Sequence, residues 1–175
     1  MTDQAPIETT NFGPAEQTAI AWSLPRDLLA APPPPDTPGG HYPSYISTVR
    51  PDGRPNTTGI GARWYDGDIY FLSGPDTRKS RNLAANPACT IAMRLDGLDL
   101  VLEGEAAPVD DPAILDAVGA LVRQAGWPVE VTADGFTAPF GPPDGGPPWT
   151  LYRFVFHTAI GQGGDGGATR WRFAR

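Results

Sequence analysis

Apolar and polar residues alternate with a period of two over residues 42–49, the pattern of a half-buried strand. A turn signal, Pro51-Asp52-Gly53, follows. Residues 56–65 predict a second strand, in which Gly59 and Gly61 permit a bulge or a close ligand approach. Asp66-Gly67-Asp68 is a hairpin signal, and residues 69–72 predict a third strand. Residues 89–94 and 99–107 predict a second hairpin across Leu95-Asp96-Gly97, and residues 151–160 and 169–173 two closing strands. The period lengthens to that of a helix in residues 78–85, between a Thr77 N-cap and the stop Asn86-Pro87. It does so again in residues 111–124, where Ile114, Leu115, Val118, Leu121 and Val122 share one side. Ahead of this body, residues 14–29 predict a helix that carries Ile20, Leu24 and Leu28 at helical spacing and breaks or kinks at Pro25.

Strands joined by hairpins and interrupted by helices predict a mainly β fold, an antiparallel barrel with helices outside. The chain divides into residues 1–40, an N-terminal helix with the stiff linker APPPPDTPGG, and residues 41–175, the barrel domain. Residues 132–149 are dense in glycine and proline, but Phe136, Phe140 and Trp149 favour a packed lid over a disordered tail.

Composition removes several functions. A formal charge of −7 and a pI near 4.6 argue against nucleic-acid binding, which needs a basic face. No apolar run approaches the roughly 18 residues of a membrane span. The first ten residues have no basic region followed by an apolar one, so they do not resemble a secretory signal. A soluble cytoplasmic protein is expected. Cys89 is the single cysteine, which excludes an intramolecular disulfide, and its apolar run predicts a buried inert thiol. His41 and His157 have no metal-ligand spacing around them.

Candidate chemistry concentrates in residues 73–87, SGPDTRKSRNLAANP. Arg78, Lys79 and Arg81 are three of thirteen basic residues within four positions, and Lys79 is the sole lysine. A helix N-terminus offers free N–H groups and positive potential, to which Ser73, Thr77 and Ser80 add hydroxyls. The combination suits a phosphate group, and it equally suits a capped surface helix with solvated cations.

The order of these elements carries a resemblance. The turn Pro51-Asp52-Gly53-Arg54-Pro55, the strand end Arg63-Trp64-Tyr65, the hairpin Asp66-Gly67-Asp68, the strand Ile69-Tyr70-Phe71 and the segment TRKSRNLAANPACTIAM resemble the pyridoxamine 5'-phosphate oxidase-like, FMN-binding split-barrel superfamily. The ending Thr169-Arg170-Trp171-Arg172-Phe173 is similar to its actinobacterial flavin/deazaflavin oxidoreductase branch. No one of these motifs is specific, but their order and spacing are.

The resemblance implies an FMN-binding split barrel, assembled as a homodimer with a flavin-type cofactor, FMN or the deazaflavin coenzyme F420, between subunits. It places Thr77, Arg78 and Lys79 on the cofactor phosphate and Leu72 and Ser73 beside the ribityl chain. It places the strand Ile60, Gly61, Ala62, Arg63 and Trp64 along the ring, with Trp171 and Arg172 in the final strand, where the partner subunit can approach the ring. The vitamin oxidases carry an Arg-aliphatic-Lys pattern on the second strand; here that strand holds only Arg63, which argues against oxidation of pyridoxamine phosphate. Neither a Ser-His-Asp set nor paired carboxylates stand out, which fits redox chemistry carried by a cofactor. The expected function is an oxidoreductase that moves hydride to or from a small organic substrate. The alternative is a non-catalytic protein of the same fold that binds a cofactor or haem.

Overall fold

A computed structural model describes residues 5–37, 40–141, 145–163 and 167–174. Eleven strands and three helices follow one another as β1 (Glu8–Asn11), α1 (Ser23–Ala30), β2 (Ser44–Val49), β3 (Pro55–Ile60), β4 (Arg63–Tyr65), β5 (Asp68–Ser73) and α2 (Arg78–Ala85). They continue as β6 (Ala88–Leu95), β7 (Leu98–Pro108), α3 (Pro112–Gln124), β8 (Glu130–Thr132), β9 (Gly135–Thr137), β10 (Thr150–Gly163) and β11 (Ala168–Arg172).

Nine strands form one antiparallel sheet in the order β1-β11-β10-β7-β6-β2-β3, with β5 attached to β10 and β4 attached to β5. Strand β10 is the keel. Its whole length from Tyr152 pairs with β7, its first five residues pair with β5, and its second half pairs with β11. The sheet therefore forks on one side of β10, in line with a split barrel. Strands β3 and β4 end as separate edges, so pairing among the described residues does not close the barrel. Gly104 and β10 approach closely: a Cβ at Gly104 would lie 2.1 Å from the Val155 carbonyl oxygen, beside the register shift between Phe156 and Thr158.

The sequence pattern explains two cores. The main one lies inside the sheet, where Ile46, Ile91, Leu100, Leu102, Phe154 and Phe156 have no exposed surface. The second joins α3 and the segment after it to the other face of β5 and β10, through Val118, Val122, Phe136, Trp149, Tyr70 and Leu151. Strand β5 thus feeds one core with Ile69 and Phe71 and the other with Tyr70 and Leu72, and it needs apolar residues at consecutive positions.

Three expectations change. The helix expected over residues 14–29 is only Ser23–Ala30, and Pro25 sits in its first turn, where a missing N–H breaks no internal hydrogen bond. Residues before it are held out of the helix from a distance: the Ile20 N–H donates to Thr169 Oγ1 at 2.8 Å, and the Ile20 carbonyl accepts from Trp171 Nε1 at 3.1 Å. The single strand expected over residues 56–65 is two, and the chain changes partner from β2 to β5 at Gly61-Ala62. Within the lid, residues 130–137 form the β8–β9 hairpin, and Phe136 bridges to Trp149.

The segment before the linker belongs to the same body. Strand β1 pairs with β11, and Trp22 packs edge-on against Trp171 and Phe173 in the main core. No helix among the described residues is long and apolar enough to cross a membrane.

Candidate functional site

Strand β5 ends at Ser73, and the chain turns through Gly74-Pro75-Asp76-Thr77 into α2. The turn is closed by the Thr77 N–H donating to the Gly74 carbonyl at 3.1 Å. Thr77 is the N-cap, accepting from the Ser80 N–H at 3.3 Å. Its hydroxyl and that of Ser80 donate to the Gly74 carbonyl at 2.9 and 2.8 Å, and Ser73 Oγ lies 2.9 and 2.8 Å from Thr77 Oγ1 and Ser80 Oγ.

The three hydroxyls therefore spend their protons on one another and on Gly74. They set the shape of the turn rather than serve as free donors, which corrects the expectation for Ser80 and narrows it for Ser73 and Thr77. Arg81 is also committed, donating to the Asp76 carbonyl at 2.8 Å. Arg78 is exposed at the start of α2, and Lys79 beside it is only 6 % exposed. The helix is anchored underneath by buried Asn82, whose amide donates to Thr48 Oγ1 on β2 at 2.9 Å.

A cleft of about 580 Å³ opens between β3 and the end of β5. Gly59, Ile60, Gly61 and Arg63 form one wall, and Leu72, Ser73, Gly74 and Lys79 another. Val118, Val122, Trp127 and Trp149 close its far end, and Phe140 lines it from the rim. A second cavity of about 430 Å³ lies over the start of α2, lined by Asn56, Thr77, Arg78 and Lys79. Lys79 lines both cavities, so the cationic helix start and the apolar cleft adjoin.

Eight of the twelve candidate residues line one or both cavities: Ile60, Gly61, Arg63, Leu72, Ser73, Thr77, Arg78 and Lys79. Ala62 and Trp64 line a third cavity, which Arg63 also lines, and Ala62 is buried. Trp171 and Arg172 stand apart. Trp171 has no exposed surface and packs on Trp22, so its ring has no face left for a cofactor. Arg172 lies at the end of β11, beside the edge strand β1 and 3.7 Å from Glu8.

Arg63 does not pair across its hairpin with Asp66 or Asp68. Asp68 is held instead by Arg153. The Arg63 Nη1 donates to the Ala62 carbonyl at 3.1 Å, its Nε is buried with no partner, and burial lowers its pKa. Tyr70 lies behind the cleft, its phenol pushed up chiefly by burial.

Sequence reasoning missed His41. Its Nδ1 lies 3.0 Å from the Tyr42 carbonyl, which can only accept, so Nδ1 is the donor in that contact. Nε2 faces Gly61, 3.6 Å from where a Cβ would stand. A lone histidine in the run Gly40-His41-Tyr42-Pro43 carries no local signal of this placement. Of the lid aromatics, Phe136 and Trp149 are buried as expected, while Phe140 is 61 % exposed at the cleft rim.

The wall at 59–61 fits a flat ligand with a phosphate tail. A Cβ at Gly59 would meet nothing nearer than the Ser44 carbonyl at 4.0 Å, so bare backbone faces the cleft there. The charged end of the ligand would meet Lys79, Arg78 and the free N–H groups of the first α2 turn. No group of side chains able to hold a metal ion occurs among the described residues.

Comparisons agree with this arrangement. General Stress Protein 26 from Bacillus anthracis str. Sterne superposes with a TM-score of 0.52 at 15 % identity, over 79 % of this chain and 93 % of that one. A nimC/nimA family protein from Clostridium acetobutylicum gives 0.51 at 19 % identity, over 73 % and 84 %. A haem-binding protein from Mycobacterium smegmatis gives 0.54 at 16 % identity, over 75 % and 53 %. These likenesses show a shared fold. No curated protein matches the sequence. The family model described as pyridoxamine 5'-phosphate oxidase matches residues 39–147, more than half of the sequence and the whole of the cleft wall, turn and α2, so the chain belongs to that family.

Proposed function

We propose that the protein is an oxidoreductase that holds FMN or coenzyme F420 in the cleft and passes hydride to or from a small organic substrate. The observation that carries this reading is the continuity at Lys79: a buried cation joins an apolar slot to the open N-terminus of α2. When bound, such a cofactor supplies the hydride-carrying ring. The chain supplies the rest. Arg78, Lys79 and the α2 amides bind the phosphate, and Leu72 and Ser73 flank the linking chain. Ile60 to Arg63 orient the ring, and Trp127 and Trp149 exclude water from its far edge.

The reading includes a homodimer. Tyr45, Ala92, Val101 and Ile160 stand in register across β2, β6, β7 and β10 on the outer face, and Tyr45 is 53 % exposed at the cleft mouth. A second copy covering this row would bury it and roof the cleft.

A visible spectrum of the purified protein, followed by titration with FMN and with F420, tests the proposal. Micromolar binding of either cofactor is expected, and failure of both to bind would reject it. A second reading, a haem-binding protein, is favoured by the imidazole of His41 in the same cleft. A Soret band on adding haemin that His41→Ala removes would select it.

A further inference from the structure

A third cavity, about 670 Å³, lies between the proline-rich strap and the sheet. Its strap side is built from Leu29, Ala30 and residues 32–35, and its floor from Trp64, Met93 and Leu121. It shares two wall residues, Arg63 and His41, with the cofactor cleft, so the two cavities meet at those side chains.

The groove's charge is unusual for this chain. The protein carries a formal charge of −7, yet no aspartate or glutamate lines the groove, and Arg63 is its one fixed charge. That guanidinium has no carboxylate partner among the described residues. Its Nη1 meets one backbone carbonyl, and its Nε has nothing. A cation partly withdrawn from water among proline, tryptophan and leucine gains most from a single anion that arrives with its own apolar body. A planar guanidinium matches a planar carboxylate in two parallel hydrogen bonds. A phosphate dianion would find more donors at the α2 start than at one arginine.

We propose that the groove under the strap is a binding site for a small flat apolar monocarboxylate, whose carboxylate is taken by Arg63 and whose body lies between the proline strap and Trp64. Because the groove meets the cleft at Arg63 and His41, a ligand seated there stands next to the ring wall. This makes an apolar carboxylic acid the substrate class, a step that rests on the cofactor reading above. The binding site itself does not rest on that reading.

Calorimetric titration of the full chain with 2-naphthoate and with its neutral analogue 2-naphthamide is the test, run without cofactor and with whichever of FMN or F420 binds. The acid is expected to bind about tenfold or more tightly than the amide, the size of one charge-assisted contact. Arg63→Met should remove that preference and Arg63→Lys should keep part of it. Binding of the acid should persist when cofactor is present. Equal affinities for acid and amide in the unaltered protein would overturn the proposal. So would the absence of binding at millimolar acid, an unchanged preference in Arg63→Met, or displacement of the acid by cofactor. If neither cofactor binds but the acid does so through Arg63, the cofactor reading fails while the groove assignment stands.

Discussion

Arg153 Nε donates to Asp68 Oδ2 at 2.6 Å across the β5–β10 junction, and the Asp68 side chain is 2 % exposed while that of Arg153 is 47 % exposed. The arginine head lies at the surface and reaches down to a carboxylate that water does not reach. The pair ties the first residue of β5 to the keel strand, directly under the cleft wall.

The two halves of this pair differ in what their loss leaves behind. Arg153→Met takes the cationic partner from a buried carboxylate, and a drop in stability of about 1–3 kcal/mol is expected. Asp68→Asn keeps a hydrogen-bond acceptor for an arginine that is already half solvated, so its cost should be smaller. Urea denaturation of both variants checks the order. A larger loss in Asp68→Asn would contradict it.

Lys79 is buried along its stem, so Lys79→Met rather than Lys79→Ala isolates its charge. The variant should bind FMN or F420 about ten- to a hundredfold more weakly, in line with one charge-assisted contact of about 1.5–3 kcal/mol. Fluorescence titration gives the affinities. Unchanged values for both cofactors would move the phosphate site away from α2.

Gly104→Ala tests the packing of the keel. The added Cβ would fall 2.1 Å from one backbone atom of β10 and 2.6 Å from another, the Val155 oxygen and the Phe156 Cα, and neither can swing aside. A loss of more than about 3 kcal/mol, read as insoluble expression or a collapsed thermal transition, is expected. A soluble variant with an unchanged melting temperature would show that β7 and β10 do not approach so closely.

Cys89 sets an alkaline limit. Burial pushes its thiol from 9.0 up to about 12, so the folded state holds the proton more tightly than the unfolded state does. The sign follows from that difference. The contribution is neutral below pH 9, where both states are protonated, and stability falls as the pH rises from 9 toward 12. Between pH 8 and 10.5 the unaltered protein should lose about 2 kcal/mol more than Cys89→Ala does, at most about 1.4 kcal/mol per pH unit. Parallel pH dependences of the two proteins would remove Cys89 from the account.

Local chemistry was legible from residue order, and long-range partners were not. The Thr77 cap and the bounds of α2 follow from residues within a turn of one another, and they match. The hairpin at Asp66-Gly67 is equally local, with both residues at positive φ as a tight turn requires. Residues 14–22 fail as a helix because Thr169 and Trp171, far along the chain, compete for the backbone of Ile20. Strand β1 gave no signal: Glu-Thr-Thr-Asn has no apolar alternation, and its place comes from the free edge of β11. Of the candidate site, the basic helix start could be read directly. Three features depend on where the strands bring side chains together: the mutual engagement of Ser73, Thr77 and Ser80, the arrival of His41, and the burial of Trp171.

The position of β10 in the sheet has a consequence for biosynthesis. Strands β5, β7 and β11 all require β10 as their partner, and β1 in turn requires β11, with Glu8 opposite Arg172. On a ribosome, residues 5–137 can form hairpins such as β6–β7 but cannot complete the sheet until residues 150–172 have emerged. Until then one edge of β5 and one edge of β7 wait unpaired, exposed to other nascent chains and to chaperones. Slowing translation ahead of residue 150 should therefore lower the soluble yield.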